Sequence, residues 1–214
     1  YQPAPLFPLD LLRIPIFALS IGTSITSFAA QMLAFVAMPF LLQSVLGRSV
    51  VASGLLMTPW PLAVGCVAPI AGRLADRYSA GLLGGLGLAV FAAGLFTLSQ
   101  LNGHPGTIDI AWRMALCGVG FGLFQSPNNR AMISSAPRER SGAAGGMLAT
   151  ARLLGQTSGA VAVAAGVHWL GLGSATILLR GAAVVAGLAA GISMLRLRHS
   201  PPAPRKAVPV VDGA

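Results

Sequence analysis

Residues 50–101 consist of VVASGLLMTPWPLAVGCVAPIA (50–71), GRLADRYSA (72–80) and GLLGGLGLAVFAAGLFTLSQL (81–101). The two outer segments are apolar, and the nine residues between them hold the charged side chains of Arg73, Asp76 and Arg77. An apolar helix of about 20 residues is long enough to cross the hydrocarbon core of a bilayer. The stretch therefore predicts a transmembrane hairpin whose two helices are joined by a short charged loop.

The same pattern extends over most of the chain and predicts an all-α, polytopic bundle of six transmembrane helices. The predicted spans are 16–42, 50–71, 81–101, 110–127, 144–170 and 172–195. We divide the chain into a cytoplasmic lead-in (1–15), a six-helix transmembrane domain (16–196) and a disordered, Pro-rich cytoplasmic tail (197–214).

Composition agrees with a lipid-facing surface. Hydrophobic residues make up 55% of the chain and charged residues 9%, with a mean hydropathy of +0.76, whereas soluble domains carry about 25% charged residues. The net charge of +9 does not predict a nucleic-acid partner. The basic residues lie singly or in pairs between apolar runs, which is typical of membrane topology.

The distribution of Lys and Arg predicts the orientation. Both termini share a side with ten basic residues: Arg13, Arg73, Arg77, Arg130, Arg138, Arg140, Arg196, Arg198, Arg205 and Lys206. The opposite loops hold only Arg48. Basic loops stay cytoplasmic, so we expect two cytoplasmic termini and a multi-pass protein of the cell membrane. Because the chain begins with Tyr1 rather than Met, we also expect it to be a piece of a longer polypeptide.

Glycine pairs four residues apart predict places where helix backbones approach closely. These pairs are Gly118 and Gly122, Gly155 and Gly159, and Gly187 and Gly191. Neither a metal-ligand cluster nor a catalytic motif occurs, and both cysteines lie inside apolar runs. We therefore expect no metal site and no enzymatic activity.

The loop Gly72-Arg73-Leu74-Ala75-Asp76-Arg77 resembles the signature G-x-L-x-D-R of the major facilitator superfamily. In that family this loop helps to hold one access state closed, so the resemblance makes Gly72, Asp76 and Arg77 gate candidates. The plainer interpretation, in which Arg73 and Arg77 only anchor the topology, stays open.

A second resemblance runs from Trp112 to Gly159. The segments RMALCGVGFGLFQSPNNR (113–130), RSGAAGG (140–146) and TARLLGQ (150–156) are similar to the fourteen-span drug:proton antiporter branch, and within it to transporters for methyl viologen and quaternary ammonium compounds. The resemblance implies that this chain is the C-terminal half, lacking six earlier spans and two linker spans. It also implies efflux of a small lipophilic or cationic substrate, driven by the proton gradient without a cofactor.

The same resemblance places the first span on the central cavity. We expect Gln31, with Met32, Phe35 and Met38, to form a soft amphipathic wall for a lipophilic cation. The fourth span adds four further cavity candidates: Trp112, Phe121, Phe124 and Gln125.

Two features of the spans bear on coupling. Arg152 lies within the fifth span, where it either snorkels or pairs with a group across the bundle, and it is a further gate candidate. No Asp or Glu lies in the middle of any span. If the chain belongs to a proton antiporter, as the resemblance implies, the coupling carboxylate must sit in the missing half. The alternative from another class is a self-associating six-span channel or scaffold without transport coupling.

Overall fold

The computed structural model describes residues 9–198, except Asn102 and His104. This part of the chain is helical, without strands. Seven α-helices follow in order: α1 Pro15–Phe40, α2 Val50–Met57, α3 Pro59–Leu74, α4 Ala80–Ser99, α5 Thr107–Ser135, α6 Ser141–Leu170 and α7 Ala175–Leu195. Short 3-10 helices lie at Leu9–Arg13, Arg138–Arg140, Leu172–Ser174 and Arg196–Arg198, and a π-helical turn, Leu41–Val45, extends α1. The bulk of the proposed tail lies outside the described residues.

The six predicted spans correspond to six helical units, because α2 and α3 follow one another as two parts of one span. Pro59 begins α3 and divides it from α2, since proline has no backbone N–H to continue the helix. Among the described residues, five units are long and apolar enough to cross a membrane, and the sixth unit, the 30-residue α6, is not one of them. The predicted end of the fourth span was wrong: α5 continues past the buried Pro127 to Ser135.

Local signals explain several helix ends. Ser49 and Ser79 each accept a hydrogen bond from a backbone N–H in the first turn of α2 and α4, at 3.2 Å and 3.3 Å. This is the standard N-cap interaction. Gly171, with φ of +77°, ends α6 in a backbone conformation that residues with a Cβ rarely adopt. These signals place the loops between spans where hydropathy alone gives only approximate bounds.

The helices form a closed core with two flanking helices. In the core, α1 packs on α7, α7 on α4 and α4 on α5, while α1 and α5 also meet. Helix α6 packs mainly on α1, and α3 packs mainly on α5. Helices α6, α1, α5 and α3 therefore border one side of the bundle, which we call the open face.

Glycines account for the closest helix contacts. A Cβ added at Gly155 would lie 2.5 Å from the Ile25 carbonyl oxygen, and one at Gly118 would lie 2.3 Å from that of Trp60. The contacts predicted at Gly159 and Gly122 are also close, because an added Cβ would lie 2.4 Å and 3.2 Å, respectively, from its nearest neighbouring atom. Gly187 and Gly191 differ from these. An added Cβ there would meet nothing within 4 Å in the described chain, so the close contact expected at that pair is not formed.

Candidate functional site

Helices α3 and α6 flank the open face, and each packs mainly on one neighbouring helix. Helix α3 exposes Leu62 by 63% and Ile70 by 52%, and α6 exposes Leu153 by 62% and Val161 by 61%. Between these flanks, α1 contacts α5 through Phe28 and α6 through Ala29. The surface of α1 between these two contacts forms the floor of the open face.

Arg152 lies at a junction of three helices on this face. It is eleven residues into α6, which at 1.5 Å per residue is about 16 Å from the helix start. Its Cζ atom lies 4.9 Å from the centre of the Phe28 ring on α1. The same ring meets Phe121 of α5 edge to face, with centroids 5.3 Å apart. The guanidinium group is therefore held between α5 and α6 at mid-depth by a cation–π contact.

A chain of edge-to-face aromatic contacts runs beneath the open face. Phe121 meets Phe91 at 5.4 Å, Phe91 meets Trp60 at 5.4 Å, and Trp60 meets Phe35 at 4.8 Å. This geometry is the favourable one for aromatic pairs. The indole Nε1 of Trp60 is buried and has no hydrogen-bond partner among the described residues. The contacts join α1, α3, α4 and α5 into one rigid unit.

The structure divides the predicted cavity residues into two groups. Gln31, Met32, Phe35 and Gln125 are half-buried, which leaves part of each side chain accessible. The other group does not line the open face. Met38, Phe121 and Phe124 are buried in the core, and Trp112 is 47% exposed and donates to Asp109 (2.9 Å) near the start of α5.

The gate candidates of the α3–α4 loop lie at the end of the bundle for which the sequence predicts a cytoplasmic position. Asp76 forms a 2.5 Å ion pair with Arg130 near the end of α5, and both side chains are about 60% exposed. Gly72 lies against α5, since an added Cβ would be 3.6 Å from the Ser126 hydroxyl oxygen. Arg77 is exposed. The loop is therefore tied to α5 by one solvent-exposed ion pair.

A buried polar network at the C-terminal end of α7 was not predicted. Arg196, 1% exposed, donates from Nη1 to Ser20 Oγ (3.0 Å) and Asn128 Oδ1 (2.6 Å), and from Nη2 to Ser193 Oγ. Asn128 in turn donates to Ser24 Oγ at 2.8 Å. Burial lowers the pKa of Arg196 to about 10, so the side chain stays cationic at neutral pH. The network links α1 and α5 to the end of α7.

One sequence signal could have found this network. Asn128 lies in an apolar helix, and amides at such positions usually hydrogen-bond to another helix. The serines gave no such signal, because hydroxyls in helices usually bond to their own backbone. Ser20 does this as well, donating to the Ile16 carbonyl at 2.7 Å.

A bundle of apolar helices with short polar loops and a half-buried, amphipathic open face defines a multi-pass membrane protein. A family model described as Major Facilitator Superfamily matches residues 2–160. The chain belongs to this superfamily.

The chain is similar to curated relatives, of which two are named as transporters and one as a multidrug resistance protein. The chain is 60% identical over 195 residues to the uncharacterized transporter YebQ of Escherichia coli, covering 91% of this chain and 43% of the relative. It is 32% identical over 155 residues to the multidrug resistance protein Stp of Mycobacterium tuberculosis, covering 72% and 29%. It is 28% identical over 130 residues to the riboflavin transporter RibZ of Clostridioides difficile, covering 61% and 28%. The chain thus spans less than half the length of each of these relatives.

Proposed function

We propose that this chain is the C-terminal half of a fourteen-span secondary transporter of the cell membrane, which exports lipophilic or cationic drugs by proton antiport. The open face is the observation that carries the proposal. Helices α1 and α5, which lie between the two flanking helices, carry the half-buried Gln31, Met32, Phe35 and Gln125, and the flanking helices expose large apolar side chains. A second bundle packed against those flanks would enclose a cavity lined by these residues.

The positions of the acidic residues support different roles for the two halves of the transporter. In the part of the chain that the structure describes, Asp10, Asp76 and Asp109 are all ion-paired near helix ends. Glu139 lies in a 3-10 helix just before α6. A proton-coupled antiporter needs a carboxylate inside the membrane that binds proton and substrate in turn. We therefore place that carboxylate in the other half. Transport driven by the proton gradient requires no cofactor.

A channel or scaffold of six spans alone is the weaker alternative. One relative is named as a transporter and another as a multidrug resistance protein, and both are more than twice as long as the segment aligned with this chain. A self-sufficient six-span assembly would not need the additional length.

Efflux from cells that express the full-length gene tests the proposal. We expect export of ethidium and methyl viologen, with export abolished by an uncoupler. Phe35→Ala should lower ethidium efflux about fivefold, because a cation–π contact contributes about 1 kcal/mol. Phe96, which is 52% exposed on α4, gives the matched control, and Phe96→Ala should retain efflux. Export that survives the uncoupler would refute proton antiport. Equal effects of the two variants would refute the proposal that Phe35 lines the substrate cavity.

A further inference from the structure

The charge of Arg152 has no counter-ion in the part of the chain that the structure describes. Its guanidinium is stacked 4.9 Å from the Phe28 ring centre, and its Nε is buried without a hydrogen-bond partner. The aromatic face offsets part of the cost of removing the charge from water, but it satisfies none of the N–H donors. A buried, unsatisfied donor on a charged group is unfavourable and is normally met by an acceptor.

The described carboxylates cannot supply that acceptor, because each lies towards a helix end. Asp10 pairs with Arg140, Asp76 with Arg130, and Asp109 with Arg113. Arg152 lies about 16 Å along α6 from the start of this 30-residue helix, which places it in the middle third of the span. An Arg at this depth requires a charge partner at the same depth.

We infer that Arg152 forms an ion pair with a carboxylate that the other half of the transporter presents at mid-depth on the open face. The inference rests on the proposed function in one respect, namely that a second half packs against this face. Arg152 belongs to the flanking helix α6, and Phe28 holds its guanidinium group between α5 and α6. The pair therefore joins the two halves and acts as a positioning contact between them.

Substrate charge favours a carboxylate of the protein over an anionic substrate group. An unneutralised guanidinium on a cavity wall would repel a cationic substrate, whereas a paired one presents little net charge. An Asp or Glu of the other half also fits the planar, bidentate geometry that Arg prefers. Loss of the pair in one access state and its formation in the other would then couple Arg152 to the movement of the two halves.

Charge reversal in the full-length protein tests the pair. Arg152→Gln and Arg152→Glu should lower ethidium efflux by about tenfold or more, because each leaves a carboxylate buried without its partner. Arg180→Gln is the matched control, since that exposed arginine on α7 bonds only to Gln100 at 3.2 Å among the described groups. Its efflux should stay within about twofold of the wild type. Each Asp or Glu in the other half's spans is then changed to Arg in the Arg152→Glu background, and one such reversal should restore efflux.

A second measurement does not depend on transport. A double-mutant cycle on the melting temperature of the purified full-length protein combines Arg152→Gln with neutralisation of the rescuing carboxylate. The two losses should be clearly less than additive. If wild-type efflux fails, the drug-export proposal falls, and the cycle, run on every membrane carboxylate, still decides the ion pair. The ion pair is refuted if no carboxylate shows coupling, or if Arg152→Gln abolishes export of anionic probes while cationic probes are unaffected.

Discussion

Gly159→Ala should destabilise the protein, while Gly187→Ala should not. Both positions belong to glycine pairs that look alike in sequence. In the structure a Cβ at Gly159 would lie 2.4 Å from the Ala29 carbonyl oxygen and 3.1 Å from the Leu33 nitrogen, whereas one at Gly187 meets nothing within 4 Å. At Gly159 the added Cβ would overlap the backbone of α1, and a helix backbone cannot rotate away as a side chain could.

Two opposing effects determine the change in the free energy of unfolding. Replacing Gly by Ala in a helix gains up to about 1 kcal/mol in propensity. At Gly159 the overlap forces α6 away from α1, and overpacking of this kind costs about 1–3 kcal/mol or more. The net result is a loss of about 1–2 kcal/mol at Gly159, which lowers the melting temperature by roughly 2–6 °C. Gly187→Ala should raise it slightly or leave it unchanged.

Thermal unfolding of the full-length protein in detergent, followed by the loss of the monodisperse peak in size-exclusion chromatography, measures both variants. Gly155→Ala, whose Cβ would lie 2.5 Å from the Ile25 carbonyl oxygen, should behave like Gly159→Ala. If Gly159→Ala were as stable as Gly187→Ala, the α1–α6 contact described above would be refuted.

Three further predictions concern the polar network, the cytoplasmic loop and the cysteines. Asn128→Ala removes one of the acceptors of the buried Arg196 and should cost about 1–3 kcal/mol, seen as a lower melting temperature that Asn128→Asp does not reproduce in full. Asp76→Asn breaks an exposed ion pair worth about 0–1 kcal/mol, so the melting temperature should hardly change; a fall in efflux would then indicate a gating role, and unchanged efflux a topology anchor. In detergent, Cys66, which is exposed, should react with a maleimide, and Cys117, which is buried, should react only after denaturation; mass spectrometry of each single-cysteine variant checks this.

Hydropathy and turn residues were sufficient to predict the fold at the level of six spans. The apolar runs recur with charged or Gly-rich loops between them, and the spans differ from the helices mainly at their ends. The error at α5 has a physical cause. A proline was taken as the end of a helix, but Pro127 is buried within α5 and the chain continues as a helix to Ser135, as membrane helices often do when neighbouring groups satisfy the freed carbonyl.

The candidate site was less predictable, because sequence does not say which side of a helix meets which neighbour. Phe121 and Phe35 are both aromatic residues in apolar helices, yet the first is 1% exposed and the second is half-buried. The burial of Arg196 could not be predicted from the sequence either. By position it belongs to the basic residues of the cytoplasmic side, and only the fold shows that its side chain turns inward to Ser20 and Asn128.

The composition of α6 indicates what that helix faces. Helix α6 is not among the five described units that are long and apolar enough to cross a membrane, and it packs mainly on α1 alone, which leaves much of its surface uncovered. A helix that exposes such a surface to lipid would be expected to be the more apolar one, since polar groups in hydrocarbon are costly. Its uncovered side carries the small polar residues Thr157 and Ser158 together with the large apolar side chains of Leu153 and Leu154. Small and polar residues are typical of helix–helix interfaces in membranes. Thr157 and Ser158 therefore favour a protein interface at α6, which is where the proposed second half and the partner of Arg152 would lie.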